Sequence, residues 1–250
     1  MKQTGIWLDK VNLHYSAVAF KERSLKSLLT GTISKRRTGQ IRDIHALKNV
    51  SAEIGPGERV GLIGHNGAGK STFLKMVAEL YPISSGTRQI KGAVRSLFEI
   101  SMGFEPDATG RENILYRGLL IGMTPAYMRA IESEIVEFAD IGEFIDYPIK
   151  TYSAGMLVRL AFAISTSVSG DILLVDEVIG AGDAAFIKKA RNRITQLIDH
   201  SEILLLASHD FSSLHDLCER GLVFHHGEIV HDGPIAGAVR QYKKINGLGA

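Results

Sequence analysis

Nine consecutive residues, Gly64-His65-Asn66-Gly67-Ala68-Gly69-Lys70-Ser71-Thr72, constrain this chain more than any other stretch. They carry the pattern Gly, four variable residues, Gly-Lys-Ser, and their flanks are informative. Arg59 to Ile63 reads as a short buried strand leading in. Ser71 to Leu80 reads as a helix leading out, with Phe73, Leu74, Val77 and Ala78 on its apolar side. Strand, glycine turn and helix in this order make a phosphate cradle. Glycines let the backbone wrap an anion so that successive N–H groups point at its oxygens, and the start of the helix adds a favourable dipole end. Lys70 supplies a charge able to bridge β- and γ-phosphates, and the Ser71 hydroxyl is a ligand suited to Mg²⁺. The alternative is a chance glycine turn, against which the flanking strand and helix argue. ATP with Mg²⁺ is therefore the expected ligand pair.

A second feature supports it. Ile172-Leu173-Leu174-Val175-Asp176-Glu177 ends a buried apolar strand in two carboxylates. Ligands of open α/β sheets sit at the carboxyl ends of strands. Asp176 is thus a candidate to hold Mg²⁺ through its water shell, and Glu177 to polarise an attacking water as general base. A solvated strand end is the other reading of an isolated Asp-Glu pair.

Around these motifs the chain reads as an α/β protein. Ile6 to Leu13 has strand character, as does Ala46 to Ile54, with a turn at Gly55-Pro56-Gly57-Glu58. Between them lies a basic insert, about 16–44, with Lys21, Arg23, Lys26, Lys35, Arg36, Arg37 and Arg42 and a possible short helix near Ser24 to Leu29. Thr124-Pro125 starts a helix, with Met128, Ile131, Ile135 and Phe138 at helical spacing. A second helix is expected over Gly155 to Val168, opened by glycine. Ile172 to Val175 and Ile203 to Ala207 suit buried parallel strands, and Leu222 to Asp232 a terminal hairpin turning near Gly227.

Composition narrows the setting. A formal net charge of +2 gives no reason to expect nucleic acid as a partner. A single cysteine, Cys218, cannot form an internal disulfide and suits a reducing compartment. The N-terminus lacks a signal-peptide pattern, and the apolar runs are strand-length. A cytosolic protein is expected, with any membrane role mediated by a partner.

Many nucleotide-binding proteins share a glycine loop and an acidic strand end. Tyr152-Ser153-Ala154-Gly155-Met156, followed by Leu157-Val158-Arg159-Leu160-Ala161-Phe162-Ala163, discriminates among them. Here the chain resembles the ATP-binding cassette (ABC) family, which places a Leu-Ser-Gly-Gly-Gln signature shortly before the acidic strand. Ser153 and Gly155 match it; Ala154 and Met156 depart from it. Gly180-Ala181-Gly182-Asp183 stands where the family has its D-loop, with Asp183 in place. His209, after Ser208, stands where the family has its switch histidine; a structural histidine is the alternative. Tyr15 matches the aromatic residue that stacks on adenine. Glu99 stands nearest the position of the family's metal-sensing glutamine, where a carboxylate adds negative charge beside Glu177; a surface acid is the alternative.

The resemblance implies an α/β P-loop NTPase fold with a RecA-like core, an N-terminal antiparallel β-subdomain and a helical subdomain insertion at about 105–167, all in one domain spanning 1–250. It also implies a head-to-tail homodimer. Ser153 and the Gly155 backbone would complete the γ-phosphate site in trans, ATP would close the dimer, and hydrolysis would reopen it.

Further stretches resemble the ATPase subunits that export bacterial surface polysaccharides such as O-antigen, capsule or teichoic acid. They are the insert with Ser24-Leu25-Lys26-Ser27-Leu28-Leu29, Phe98 to Pro106, Thr109-Gly110-Arg111-Glu112-Asn113-Ile114, and Ala181-Gly182-Asp183. Those implied partners are two copies of an integral membrane permease and a lipid-linked polysaccharide, at the cytoplasmic face of the inner membrane. With the sequence ending at Ala250, no added carbohydrate-binding domain is expected, and a capsule-type or short O-antigen-type arrangement is the expected one. Glu99 to Thr124 is the expected docking segment for the permease, lined by Phe98, Met102, Phe104 and Leu115, which alternatively pack the subdomain core. The basic insert suits anionic headgroups or a lipid pyrophosphate, or is a solvated loop. Rival readings are a drug or lipid exporter ATPase, a soluble non-transport ABC protein, and a regulatory module without turnover.

Overall fold

The apolar runs sort into two sheets with different burial patterns. The computed structural model describes residues 4–18, 41–98, 103–176 and 184–247. One sheet is antiparallel, in the order β2-β1-β4, from β1 (Gly5–Val18), β2 (Ile41–Ile54) and β4 (Ser85–Lys91). Bulges interrupt the pairing of β1 with β2 between Leu8 and His14, near Lys10 and Asn49, which both take positive φ. A bulge adds twist, bending a long ribbon over the core.

The other sheet runs β5-β6-β7-β3-β8-β9. Its members are β3 (Arg59–Ile63), β5 (Val94–Ser96), β6 (Ile172–Asp176), β7 (Ile203–Ala207), β8 (Arg220–His225) and β9 (Glu228–Pro234). All neighbours pair in parallel except β8 and β9. Ile172–Val175 of β6 and Ile203–Leu206 of β7 are unbroken Val, Ile and Leu runs, as strands buried on both faces require. At the edge, β9 instead alternates exposed and half-buried residues. The terminal hairpin lies where the sequence predicts it, turning through His226 (φ 48°) and Gly227 (φ 87°). Two successive positive φ values are what a two-residue hairpin turn requires.

Helix α1 (Lys70–Val77) packs Phe73, Leu74, Met76 and Val77 into a core shared with both sheets. Between β5 and β6 the chain forms α2 (Gly110–Leu120), α3 (Pro125–Ala139) and α4 (Ala154–Ser165). These build a separate apolar cluster around Ile114, Met128, Ile135, Phe138 and Phe162. Each has a readable start. Thr109 and Glu112 form a reciprocal capping box on α2, the Thr124 hydroxyl accepts from the Tyr127 N–H, and Ser153 accepts from the Met156 N–H. Helix α5 (Ala184–His200) joins that cluster to a third one, under α6 (Phe211–Leu217) and α7 (Ile235–Ile245).

Several expected boundaries shift. The proposed insert at 16–44 loses both ends to sheet, since Ser16–Val18 pair with Ile41–Asp43. What remains of it, including Ser24 to Leu29 and its basic residues other than Arg42, lies outside the described residues. Helix α4 is opened not by Gly155 but by the Ser153 cap, and it ends at Ser165 rather than Val168. A hydroxyl cap sets a helix start more firmly than a glycine. Helix α1 ends at Val77, three residues before Leu80, as Glu79 turns to φ 59°.

Candidate functional site

The ends of three adjacent strands define the site. Strand β3 runs into the glycine loop, β7 beside it leads to His209, and β6 beyond that ends in Asp176. Their carboxyl ends open on a cavity of about 580 Å³. The same cavity receives Tyr15 from β1, residues His65 to Thr72, and the turn residues His226 and Gly227.

The loop is shaped by close approach. A Cβ at Gly64 would stand 2.7 Å from the Phe224 carbonyl and 2.9 Å from Ala68 Cβ, so only glycine lets the loop lie against β8. Gly69 takes φ 115° and precedes α1 without any side-chain cap. The first N–H groups of α1 are thus left for an outside acceptor, in a place where the dipole favours an anion. Backbone bonds brace the loop: Ala68 N–H donates to the His65 carbonyl (3.0 Å), and Gly227 N–H donates to the Ala68 carbonyl (2.9 Å).

Lys70 is buried within this loop. Its Nζ donates to the carbonyls of Gly64 (2.6 Å) and His65 (3.3 Å) and lies 3.5 Å from His209 Nε2. A buried ammonium at the loop's centre is the point charge that triphosphate binding demands. The Tyr15 hydroxyl donates to Thr72 Oγ1 (3.3 Å), and its ring meets Tyr81 edge-on. Burial raises the Tyr15 hydroxyl pKa, so this phenol stays neutral. Ser71 is exposed and shares the cavity with Asp176. Just past His209, Asp210 caps α6. Bonds from the Ser213 and Ser212 hydroxyls hold its carboxyl down to about 2.

Of the sequence-derived candidates, Tyr15, His65, Asn66, Gly67, Ala68, Gly69, Lys70, Ser71, Thr72, Asp176 and His209 line one cavity, with Gly64 at the loop's root. Ser153 and Gly155 stand elsewhere, exposed at the start of α4, and do not line it. Glu99, Glu177 and Asp183 lie outside the described residues. Sequence reasoning missed Ile44, His45, Ala46 and Lys48, which β2 contributes to the wall, along with His226. No local motif marks them, because the folding of the antiparallel sheet over the loop brings the β2 residues there and the pairing of β8 beside β3 brings His226.

The expected docking segment is rearranged. Phe98 packs on the main core, and Phe104 and Leu115 on the helical cluster, with the Arg117 guanidinium 4.6 Å from the Phe104 ring. Burial pulls the Arg117 pKa down to about 10. The apolar side chains α2 turns outward are Tyr116, Leu119 and Leu120, and Met102 lies outside the described residues.

A glycine loop entering an uncapped helix, a buried lysine and an acid at a neighbouring strand end define a P-loop nucleotide-binding protein. Residues 47–180 match the ABC transporter family, more than half of the chain. The chain belongs to that family and is an ABC-type ATPase. It is 41% identical over 234 residues to the O-antigen export system ATP-binding protein RfbE of Yersinia enterocolitica, covering 92% of this chain and 98% of that one. It is 35% identical to RfbB of Myxococcus xanthus, also named as an O-antigen export ATP-binding protein, over 96% of this chain and 57% of the relative. The teichoic acids export protein TagH of Bacillus anthracis is 39% identical over 80% of this chain, which spans 36% of it. Among solved structures, the ATP-binding cassette MJ0796 in a dimeric post-hydrolysis state superposes with a TM-score of 0.67 at 21% identity. That match covers 92% of this chain and 98% of that one, and it establishes the fold.

Proposed function

We propose that this chain is the ATP-hydrolysing subunit of an ABC exporter that moves a lipid-linked surface polysaccharide, of O-antigen, capsule or teichoic acid type, across the cytoplasmic membrane. The observation that carries the ATPase half is the convergence of the glycine loop, Asp176 and His209 on one cavity at three adjacent strand ends. The polysaccharide half rests on the O-antigen and teichoic acid relatives. Among the described residues, no helix is long and apolar enough to cross a membrane. Transport then calls for a separate permease, and the chain works as a peripheral subunit at the cytoplasmic face.

In this reading the loop N–H groups and Lys70 bind the β- and γ-phosphates, and the Tyr15 ring packs against the adenine. Ser71 and Asp176 would hold Mg²⁺, which would neutralise phosphate charge; the hydroxyl and carboxylate on one cavity suit a hard cation. Glu177 takes a proton from water as the water oxygen bonds to the γ-phosphorus. The bond from that phosphorus to the bridging oxygen breaks, leaving ADP and phosphate. His209 contacts the γ-phosphate and steadies the developing charge. Ser153 and the Gly155 N–H, which do not line the cavity of their own chain, complete the site of a second copy, and Asp183 is a further nucleotide-binding candidate from its place in the D-loop motif. Glu99, nearest the position of the family's metal-sensing glutamine, is the third candidate toward the metal.

The test is to purify the chain with its membrane partner and measure ATP turnover with and without lipid-linked glycan. Stimulation by the glycan, and not by drug-like amphiphiles, is expected. Stimulation by amphiphiles alone would move the protein to a drug or lipid exporter.

A further inference from the structure

Three imidazoles meet beside the phosphate loop. His65 is the loop's second residue, His225 closes β8, and His226 opens the turn into β9. The His65 ring centroid lies 5.6 Å from that of His225 and 5.2 Å from that of His226, and the latter two are 4.3 Å apart. One ring nitrogen from each residue lies within 4.8 Å of the others. We propose that His65, His225 and His226 form a binding site for a borderline divalent transition cation of the Zn²⁺ class, pinning the phosphate loop to the β8–β9 turn.

The donor set fits such an ion. Imidazole nitrogens bind zinc at about 2.0–2.1 Å, which puts tetrahedral ligand atoms roughly 3.4 Å apart. The remaining gap is about 1.4 Å or less, a shift on the scale of a χ rotation of the imidazoles. His65 Nδ1 lies 2.8 Å from the Asn66 carbonyl oxygen. With Nδ1–H donating there, the Nε2 lone pair is left for a metal, the arrangement in which a backbone carbonyl orients a ligating histidine. The backbone is braced as well. Gly227 donates to the Ala68 carbonyl and accepts from the Lys48 N–H (both 2.9 Å), so turn and loop are held in register. Three neutral nitrogens without a carboxylate disfavour Mg²⁺, which needs oxygen ligands, so this site is chemically distinct from Ser71 and Asp176. A water would complete the coordination.

The test uses the full chain without any histidine tag, nucleotide-free and in excess Mg²⁺, titrated with Zn²⁺ against a chromophoric chelator. One equivalent per chain is expected. His225→Ala and His226→Asn, the latter keeping a residue that tolerates positive φ, should each weaken binding about tenfold or more. His14→Ala, which removes one ring of the stacked His14–His45 pair, should leave binding unchanged. Circular dichroism without metal verifies that the variants fold. Absence of stoichiometric binding by the unaltered chain, binding that survives in both folded variants, or binding lost with His14 would each overturn the proposal.

Discussion

Lys70 shows how a single residue serves fold and chemistry with opposite demands. A buried ammonium is costly unless it is well bonded, and here the loop's own carbonyls at Gly64 and His65 hold it. A triphosphate offers stronger, charge-assisted acceptors than those neutral carbonyls. Lys70→Ala should therefore lower ATP affinity by about 1.5–3 kcal/mol, some 10- to 150-fold, the range for a hydrogen bond to a charged group. Equilibrium binding of a fluorescent ATP analogue measures it, and unchanged affinity would refute the phosphate-loop assignment. The same residue scale explains what Gly64 contributes, since any side chain there collides with the backbone of β8. Both residues were legible in the sequence because their motif is local: spacing along the chain sets their spacing around the loop.

At the scale of elements, the segment leading into α2 depends on one side chain. Asn113 is fully buried; its amide donates to the carbonyls of Glu105 (3.0 Å), Ala108 (3.2 Å) and Thr109 (2.9 Å), and its carbonyl accepts from the Glu105 N–H (2.8 Å). It thus fastens residues 105–109 to the helix that follows them. Replacing it by Ala strands several buried polar groups, at a cost of about 2–3 kcal/mol. Asn113→Ala should lower Tm by several degrees, and calorimetry showing no shift would refute that role. The sequence marks Thr109 to Ile114 as a motif but does not reveal this bonding, because the acceptors belong to an irregular loop without periodicity. Boundaries blurred for related reasons. Ser153 caps α4 through a bond that spacing hides beside a conspicuous glycine. The strands β1 and β2 extend past their apolar stretches because backbone pairing, not side-chain pattern, prolongs them.

At the scale of the molecule, the separation of Ser153 from the cavity becomes informative. The start of α4 is exposed, and its N–H groups and hydroxyl belong to an element outside the cavity wall. Under the proposed head-to-tail arrangement, ATP joins two chains only while it is intact. Glu177→Gln should keep ATP bound and convert the chain to a dimer on Mg-ATP addition, with turnover down about 100-fold or more, as loss of a general base implies. Adding Ser153→Arg to that variant should abolish the dimer while each chain still binds ATP. Analytical ultracentrifugation distinguishes the species; a dimer that persists with Ser153→Arg would refute the composite site, and wild-type turnover in Glu177→Gln would refute the assigned base.

The division between sequence and tertiary structure follows from the range of the forces involved. The glycine loop, the buried strands that carry Asp176 and precede His209, the Thr124 cap and the hairpin at Gly227 were determined by the sequence itself. Each depends on residues within a few positions of one another, where backbone geometry and apolar periodicity leave few choices. The strand order that sets β7 between β3 and β6 was decided only in three dimensions. So was the wall of the cavity drawn from His45, Ala46 and Lys48, and so was the meeting of His65 with His225 and His226, some 160 residues apart along the chain. These depend on long-range strand pairing within one sheet and on the packing of the other sheet over it, and no local pattern encodes which distant side chains they bring together. The loop that most constrains the fold thus gained its neighbours only when distant strands paired beside it and the second sheet closed over it.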